Sequence, residues 1–390
     1  MTDEDKAESS PEESVRALRS RIRLKARLSA RSGGDENTRI EAPGPRAEEK
    51  VVQAVKPGPA RLAEPPPVEA VAVAPVGLRR RQRQGRVACL FGMFLGFAGL
   101  IAGRLGVLWI QFDVFSHFTL HFAAIIVAFL VGYLMPRMRV ITAVALIILA
   151  VVAIGLWPHL ASRKIDVVGT ATGAERSLRL MSFNTKLSRN NGDAVADEVL
   201  RNDPDVAVLL EFGEEKRSAL EKLKSRYPYQ ADCTGIPECQ LAMIARLPFA
   251  NVQWRGPWEG PPLIRVSFGP ELAGLTVIGV HTARFPQQRV QLRQIEQLSR
   301  LLDEIEGPHI VAGDFNATPF SRLLGTFANR SRMNRLTSLP TWPTWLSLPQ
   351  VAIDHVFVSR GIRILEAARI GGNAGSDHYP VIVGLAVSQR

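Results

Sequence analysis

Cysteine is scarce in this chain of 390 residues: there are three. Cys89 lies in an apolar segment, while Cys233 and Cys239 lie close together in a polar loop. None falls at zinc-like spacing with a histidine, which argues against a structural zinc site. Spacing establishes no internal repeat. Also missing is a basic excess that belongs to the folded part. The formal net charge is +11, but much of the excess precedes residue 87, so charge gives no reason to assign a nucleic-acid partner. No apolar stretch stands near the N-terminus. The first begins at about residue 87, too far in for a cleaved signal peptide.

What is present divides into three regions. Residues 1–78 are rich in Glu, Arg, Pro and Ala, and Pro65-Pro66-Pro67 continues neither a helix nor a central strand. This region reads as a disordered cytoplasmic tail. Within it, Val15, Leu18 and Ile22 recur at helical spacing among arginines, as in a basic amphipathic helix on an anionic membrane face or a solvated basic tail. Residues 79–160 read as a membrane anchor. Arg79, Arg80, Arg81, Arg83 and Arg86 precede apolar stretches at about 87–103, 118–134 and 140–157. Each is near the length needed to cross a hydrocarbon core of roughly 30 Å. The positive-inside rule assigns those arginines, with Arg137 and Arg139, to the cytoplasm. Three transmembrane helices then leave everything after Trp157 outside the cytoplasm, in the periplasm of a Gram-negative cell. There Cys233 and Cys239 can stay oxidised, and a disulfide is expected. His117 and His121, a turn apart at the start of the second stretch, read as interfacial histidines.

Residues 162–390 are long enough for one substantial core. Short apolar strands separated by amphipathic helices predict a layered α/β architecture. Polar residues recur where the strands end: Asn184, Glu211, His281, Asp314 with Asn316, Asp354 with His355, and Asp377 with His378. One polar strand end is commonly a turn signal, but this many carrying Asn, Glu, His and Asp mark a site on a rigid scaffold. The stretch His309–Ala312 predicts a buried strand, followed by Gly313-Asp314-Phe315-Asn316. Thr318 and Pro319 then predict a helix start, with Thr318 as the N-cap.

The segments Met181–Asn184, Leu209–Glu211, Leu241–Arg246, Val280-His281, Gly313–Asn316, Ile353–Ser359 and Ser376–Pro380 resemble, in content and order, the endonuclease/exonuclease/phosphatase family. That family includes DNase I-like nucleases, abasic-site endonucleases, inositol-polyphosphate phosphatases and bacterial sphingomyelinases. Gly-Asp-Phe-Asn alone is modestly specific; joined with Ser-Asp-His-Tyr-Pro it is strong. The resemblance implies a four-layer α/β sandwich, two packed mixed β-sheets flanked by helices. It implies a divalent cation, Mg2+ or Mn2+, and hydrolysis of a phosphoric ester. It assigns Glu211 to the metal, with Asn184 and Asp377 helping to form that site. Asp314 and Asn316 match the pair that orients water and phosphate, His281 an active-site histidine, and Asp354 with His378 an Asp–His pair.

Elementary chemistry agrees. Mg2+ takes oxygen ligands and keeps several waters, so a few carboxylates suffice. Hydrolysis needs a base beside the water, for which both Asp314 and His378 qualify. Asp354 would fix the tautomer of His378 and favour its cation. On an alternating strand His355 faces away from Asp354, so it reads as structural, as does His309. Thr341-Trp342-Pro343-Thr344-Trp345 reads as a loop packed near the site. Arg284, Arg289 and Arg293 can reach phosphate, although a solvated helix face is the default for the last two. The expectation is a membrane-anchored phosphodiesterase, nuclease-like or phospholipase-like. Its substrate is a nucleic acid, a phospholipid head group or a small phosphoester, and its other partner is the lipid bilayer. The alternatives are a phosphomonoesterase of the same fold and a catalytically inactive binding or scaffold protein.

Overall fold

The computed structural model describes residues 76–135, scattered positions between 139 and 150, residue 171, and residues 175–388 except 237 and 347–350. The expected tail, Arg137 and most of the expected third span lie outside the described residues.

Two six-stranded mixed sheets form the C-terminal part. The first contains β1 (Glu175–Asn184), β2 (Val206–Leu210), β3 (Tyr229–Asp232), β4 (Leu241–Ala245), β11 (Ile362–Ile370) and β12 (Val381–Ser388), in the order β11-β12-β1-β2-β4-β3. The second contains β5 (Phe249–Arg255), β6 (Leu263–Phe268), β7 (Thr276–His281), β8 (His309–Asp314), β9 (Asn334–Arg335) and β10 (Asp354–Val358), in the order β5-β6-β7-β8-β10-β9. At the centre of each sheet lies one parallel pair, β1 with β2 and β7 with β8. Period-two alternation sorts the side chains. Leu178, Leu180, Val206, Val208, Val277, Ile310, Ala312 and Val356 fill the space between the sheets. Their neighbours Met181, Phe183, Ala207 and Leu209 face the helices α3 (Gly192–Asn202) and α4 (Arg217–Leu223). On the other side Ile278, Val280, Val311 and Phe357 face α5 (Gln288–Asp303) and α6 (Arg322–Ser331). Helix, sheet, sheet and helix make the four layers. The polar sequence of β5 and the short β3 hide them from a reading of apolar runs, and neither strand is legible that way.

Cys233 and Cys239 are bonded, with Cα atoms 5.7 Å apart. Both are buried in the core between the sheets.

Ahead of the sandwich stand α1 (Val76–Leu105) and α2 (Thr119–Leu134), packed antiparallel. Gly92 lies against Phe129, Gly96 against Ile126 and Gly99 against Phe122, so closely that a Cβ on any of them would collide. Small residues of this kind let apolar helices approach without a polar seam. Among the described residues, one helix is by itself long and apolar enough to cross a membrane, Arg80–Leu105. The segments Ile110–Ser116 and Thr119–Leu134 reach that length only together, across a 56° bend. The expectation of three spans is therefore corrected, among the described residues, to one such helix and one bent pair.

The turn between α1 and α2 docks on the start of α6. That helix begins later than Thr318 and Pro319 predict: its N-cap is Ser321, whose Oγ accepts the Leu323 N–H at 3.1 Å. The Ser321 hydroxyl donates to Asp113 Oδ2 at 2.5 Å, and the Arg322 N–H donates to Asp113 Oδ1 at 2.9 Å. Thr318 is occupied elsewhere. Its N–H donates to His117 Nδ1 at 3.2 Å. His117 is buried, not interfacial as its spacing suggests.

Candidate active site

The polar strand ends continue the inward alternation one step past the core. On β1 the series Leu178, Leu180 ends in Asn184; on β8 the series Ile310, Ala312 ends in Asp314. Register does the rest. His281 pairs with Asp314 across β7 and β8, and Asp354 pairs with Asp314 across β8 and β10. Residues directly opposite on paired strands share a face, so three adjacent strands present His281, Asp314 and Asp354 in one rank toward the first sheet. Gly313 permits this crowding. Its φ is +155°, and a Cβ there would strike the Val280 carbonyl. Glu211 and Asn316 each hold a positive φ, 49° and 45°, at the turns that leave β2 and β8.

The groups then meet. Asn184 Nδ2 donates to Glu211 Oε1 and to Asp314 Oδ2, both at 3.0 Å, tying the ends of the two sheets together. His281 Nε2 stands 3.8 Å from each of the same two oxygens. His378 Nδ1 bonds Asp354 Oδ2 at 2.8 Å, and its Nε2 lies 3.8 Å from Asp314 Oδ2. The Asn316 N–H donates to Asp314 Oδ1 at 2.8 Å, and its side-chain amide to the Thr282 carbonyl at 3.0 Å. Seven of the eight expected residues thus form one hydrogen-bonded or near-contact group. Asp377 stands beside it, its carboxylate 3.2 Å from Lys186 Nζ.

Environment sets the charges. Burial, then the Asp354 carboxylate, push Asp314 up to about 6. Burial opposes charge on His378, but the Asp354 charge and hydrogen bond, with Asp314 and Asp377, outweigh it and raise the ring to about 9. Burial also acts against ionised Glu211. The charge of His281, the Leu187 N–H at 2.9 Å and the Asn184 amide overcome it, leaving the carboxyl below its ordinary value. At neutral pH these shifts leave Glu211 and Asp314 as carboxylates facing the His378 imidazolium.

Glu211, His281 and Asp314 each offer a ligand atom within 4.8 Å of the others, as do Asp314, Asp354 and His378. The first set suits a divalent cation better. It supplies carboxylate oxygens from two strands at a partly exposed edge, as Mg2+ or Mn2+ prefers. In the second, His378 and Asp354 are already bonded to one another.

Residues 181–378, half of the chain, match the model of the Endonuclease/Exonuclease/phosphatase family. The chain belongs to that family. A UPF0294 protein of Vibrio cholerae is 36% identical over 124 residues, which cover 30% of this chain and 41% of the relative. A UPF0294 protein of Vibrio campbellii is 28% identical over 130 residues, with the same coverage. The chain thus matches less than half the length of these relatives. Sphingomyelinase C from Streptomyces griseocarneus is 17% identical, with a TM-score of 0.44, covering 54% of this chain and 99% of that structure.

This member of the family also uses residues that strand patterning does not mark. Thr341 Oγ1 donates to Asp354 Oδ2 at 2.5 Å, so the Thr341–Trp345 loop packs on the site as expected and supplies a hydrogen bond to it. Ser376 Oγ donates to the Asn184 carbonyl at 2.7 Å and accepts the His378 N–H at 3.1 Å. Lys216, fully buried, donates to the Glu211 carbonyl at 3.0 Å and supports that turn. Thr341 and Ser376 stand in stretches that the sequence singles out, and Lys216 does not. His355 faces the other way, 2.8 Å from the Ala317 carbonyl; burial, then Arg335, hold it down to about 4. His309 lies at the far end of β8, against the Gly307 carbonyl at 3.0 Å.

Proposed function

We propose that this protein is a membrane-anchored, metal-dependent phosphodiesterase whose catalytic domain lies outside the cytoplasm. The observation that carries the chemistry is the line Asp354–His378–Asp314, with the Glu211–His281 edge beside it. Asp314, ionised above pH of about 6, takes the proton of the attacking water. His378, held in its cationic form by Asp354 and Asp314, is read here as a donor to the phosphoryl oxygens and Asp314 as the base. Asp354 orients it. Asn316, fixed by two hydrogen bonds, holds the loop that bears the water and phosphate. Glu211, with Asp314 in reach, would hold the cation, and Asn184 keeps the two carboxylates together. Asp377, paired with Lys186 Nζ at 3.2 Å, lies outside both sets of ligand atoms and would reach the cation only by leaving that partner. A bound Mg2+ neutralises phosphate charge and polarises the phosphorus–oxygen bond.

Three observations support the anchor and its orientation. Phe91, Phe94, Phe97 and Ile101 of α1 point outward, as lipid-facing residues do. Arg80, Arg81, Arg83 and Arg86 stand at one end of the hairpin, and Arg139 reaches back to the Gly132 carbonyl there at 2.9 Å. The domain docks on the turn at the other end, through Asp113 and His117. The positive-inside rule makes that end extracytoplasmic, where a Cys233–Cys239 bond persists.

The test is hydrolysis of bis-p-nitrophenyl phosphate by the full chain, with Mg2+ or Mn2+, with chelator, and with an Asp314→Ala control. Activity that survives chelator or the substitution sinks the assignment. p-Nitrophenyl phosphate as the better substrate replaces diester with monoester hydrolysis.

A further inference from the structure

Outside the candidate active site, the turn between α1 and α2 meets the groove between α5 and α6 in an open cleft of about 380 Å3. Arg289, Arg322 and Arg330 line it, with Gln111 and, on its outer side, Leu108 and Trp109. Charge within it is unbalanced. Among the described residues that line it, Glu296 is the one acidic side chain against three arginines, and it pairs with Arg330 at 3.1 Å. Arg322 Nη1 donates to the Gly106 and Val107 carbonyls, so the guanidinium is held at the turn while its other nitrogens keep their donors. Arg289 Nε and Nη2 face the side-chain amide of Gln111. From Arg322 to Arg330 the groove runs along two turns of α6, roughly 12 Å at 1.5 Å per residue.

Two features say what covers this cleft. Leu108 is 78% exposed and Trp109 66% exposed. They directly follow a helix apolar enough to cross a membrane, which is where interfacial aromatic residues sit. The second feature is the place of the arginines. Orientation gathers basic residues at the cytoplasmic end of an anchor, and Arg80–Arg86 already do that. A second cluster at the opposite end has no role in insertion and needs an anionic partner of its own. Guanidinium forks match phosphate oxygens in pairs, and an apolar wall beside them matches the start of an acyl chain.

We propose that this cleft binds the headgroup phosphate of an anionic phospholipid in the bilayer that the anchor crosses, as a site separate from the catalytic one. The inference rests on the anchor reading and not on the catalytic one. Arg289, for which a solvated helix face is the default and phosphate contact the alternative, thereby acquires a ligand.

The experiment uses the full chain in nanodiscs of phosphatidylcholine alone or with phosphatidylglycerol. It reads retained lipid by native mass spectrometry and the melting temperature, for the parent and for Arg289→Gln/Arg330→Gln. The parent should retain phosphatidylglycerol at least tenfold over phosphatidylcholine and melt several degrees higher in its presence. The double variant should lose both effects while bis-p-nitrophenyl phosphate turnover changes less than twofold. Equal phosphatidylglycerol retention by the variant overturns the site, as does inorganic phosphate reproducing the shift in phosphatidylcholine discs. A chain that does not enter nanodiscs at all overturns the anchor and this site together. An inactive chain that retains the lipid selectivity overturns only the catalytic reading.

Discussion

His117, two residues before α2, accepts the backbone N–H of Thr318, two residues beyond Asn316. The ring also lies tilted against Phe285, with centroids 5.8 Å apart, on the loop that follows His281. The α1–α2 hairpin is thus built into the loops that bear two candidate catalytic residues. His117→Ala removes the acceptor and leaves a buried N–H without a partner, a cost of about 1–3 kcal/mol. The full chain should melt several degrees lower, and its turnover should fall more than its substrate affinity, because Asn316 loses its support. A variant with the parent's melting temperature and turnover would show that this hydrogen bond supports neither the fold nor the site.

Asp113 acts at the same junction. Its carboxylate accepts both the Ser321 hydroxyl and the Arg322 N–H at the start of α6. Hydrogen bonds to a charged group contribute about 1.5–3 kcal/mol each. Losing both, Asp113→Ala should destabilise the full chain by about 3–6 kcal/mol in denaturant titration, and Asp113→Asn by less, since the amide still offers one acceptor. Equal stability for the parent and Asp113→Ala would show that the hairpin and the sandwich fold independently.

Much of the candidate site was legible because it extends a rule that needs no structure. Asn184, His281, Asp314 and Asp354 each continue an inward period-two series, so strand alternation alone puts them on one side. Which series meet is another matter. Nothing local connects Asp113 to Ser321 or Thr341 to Asp354, and these contacts follow from the packing of distant segments. The start of α6 was misread for the same reason. Thr318-Pro319 carries every local mark of a helix start, but the Thr318 N–H is held by His117, and Ser321 takes the cap.

Asp354 and His378 should behave as one unit. Asp354 Oδ2 holds both the Thr341 hydroxyl and His378 Nδ1. His378→Ala should lower kcat by about 100-fold or more, the scale of a lost transition-state donor. Asp354→Asn should do less, and the double variant should lose little beyond His378→Ala alone. The same pair has a pH signature in chelator. Raised to about 9, His378 contributes stability fully below pH of about 6.5 and loses it as pH rises through 9. The parent's melting temperature should fall between pH 7 and 9, and that of Asp354→Asn should stay nearly flat. Additive kinetic losses, or parallel melting curves, contradict the pairing.

The last prediction sets stability against function at Asp314. Its carboxyl titrates at about 6 in the folded chain, against about 3.9 when unfolded. Burial is the main cause and Asp354, its register partner across β8 and β10, the next. A group raised in this way favours folding only while protonated. As pH rises through 6 that advantage is lost, and above it the chain bears a buried carboxylate beside another. Asp314→Asn removes the charge and keeps the shape. Without divalent cations it should therefore be more stable than the parent at pH 7.5, by on the order of 2 kcal/mol, and the difference should vanish near pH 4. Added Mg2+ should stabilise the parent and do much less for the variant, because the cation offsets a charge the variant lacks. Activity should be gone under all conditions. A destabilised Asp314→Asn at pH 7.5 in chelator would mean that the Asn184 amide and His378 hold the carboxylate more tightly than burial and Asp354 oppose it, and the base would then have to be sought elsewhere.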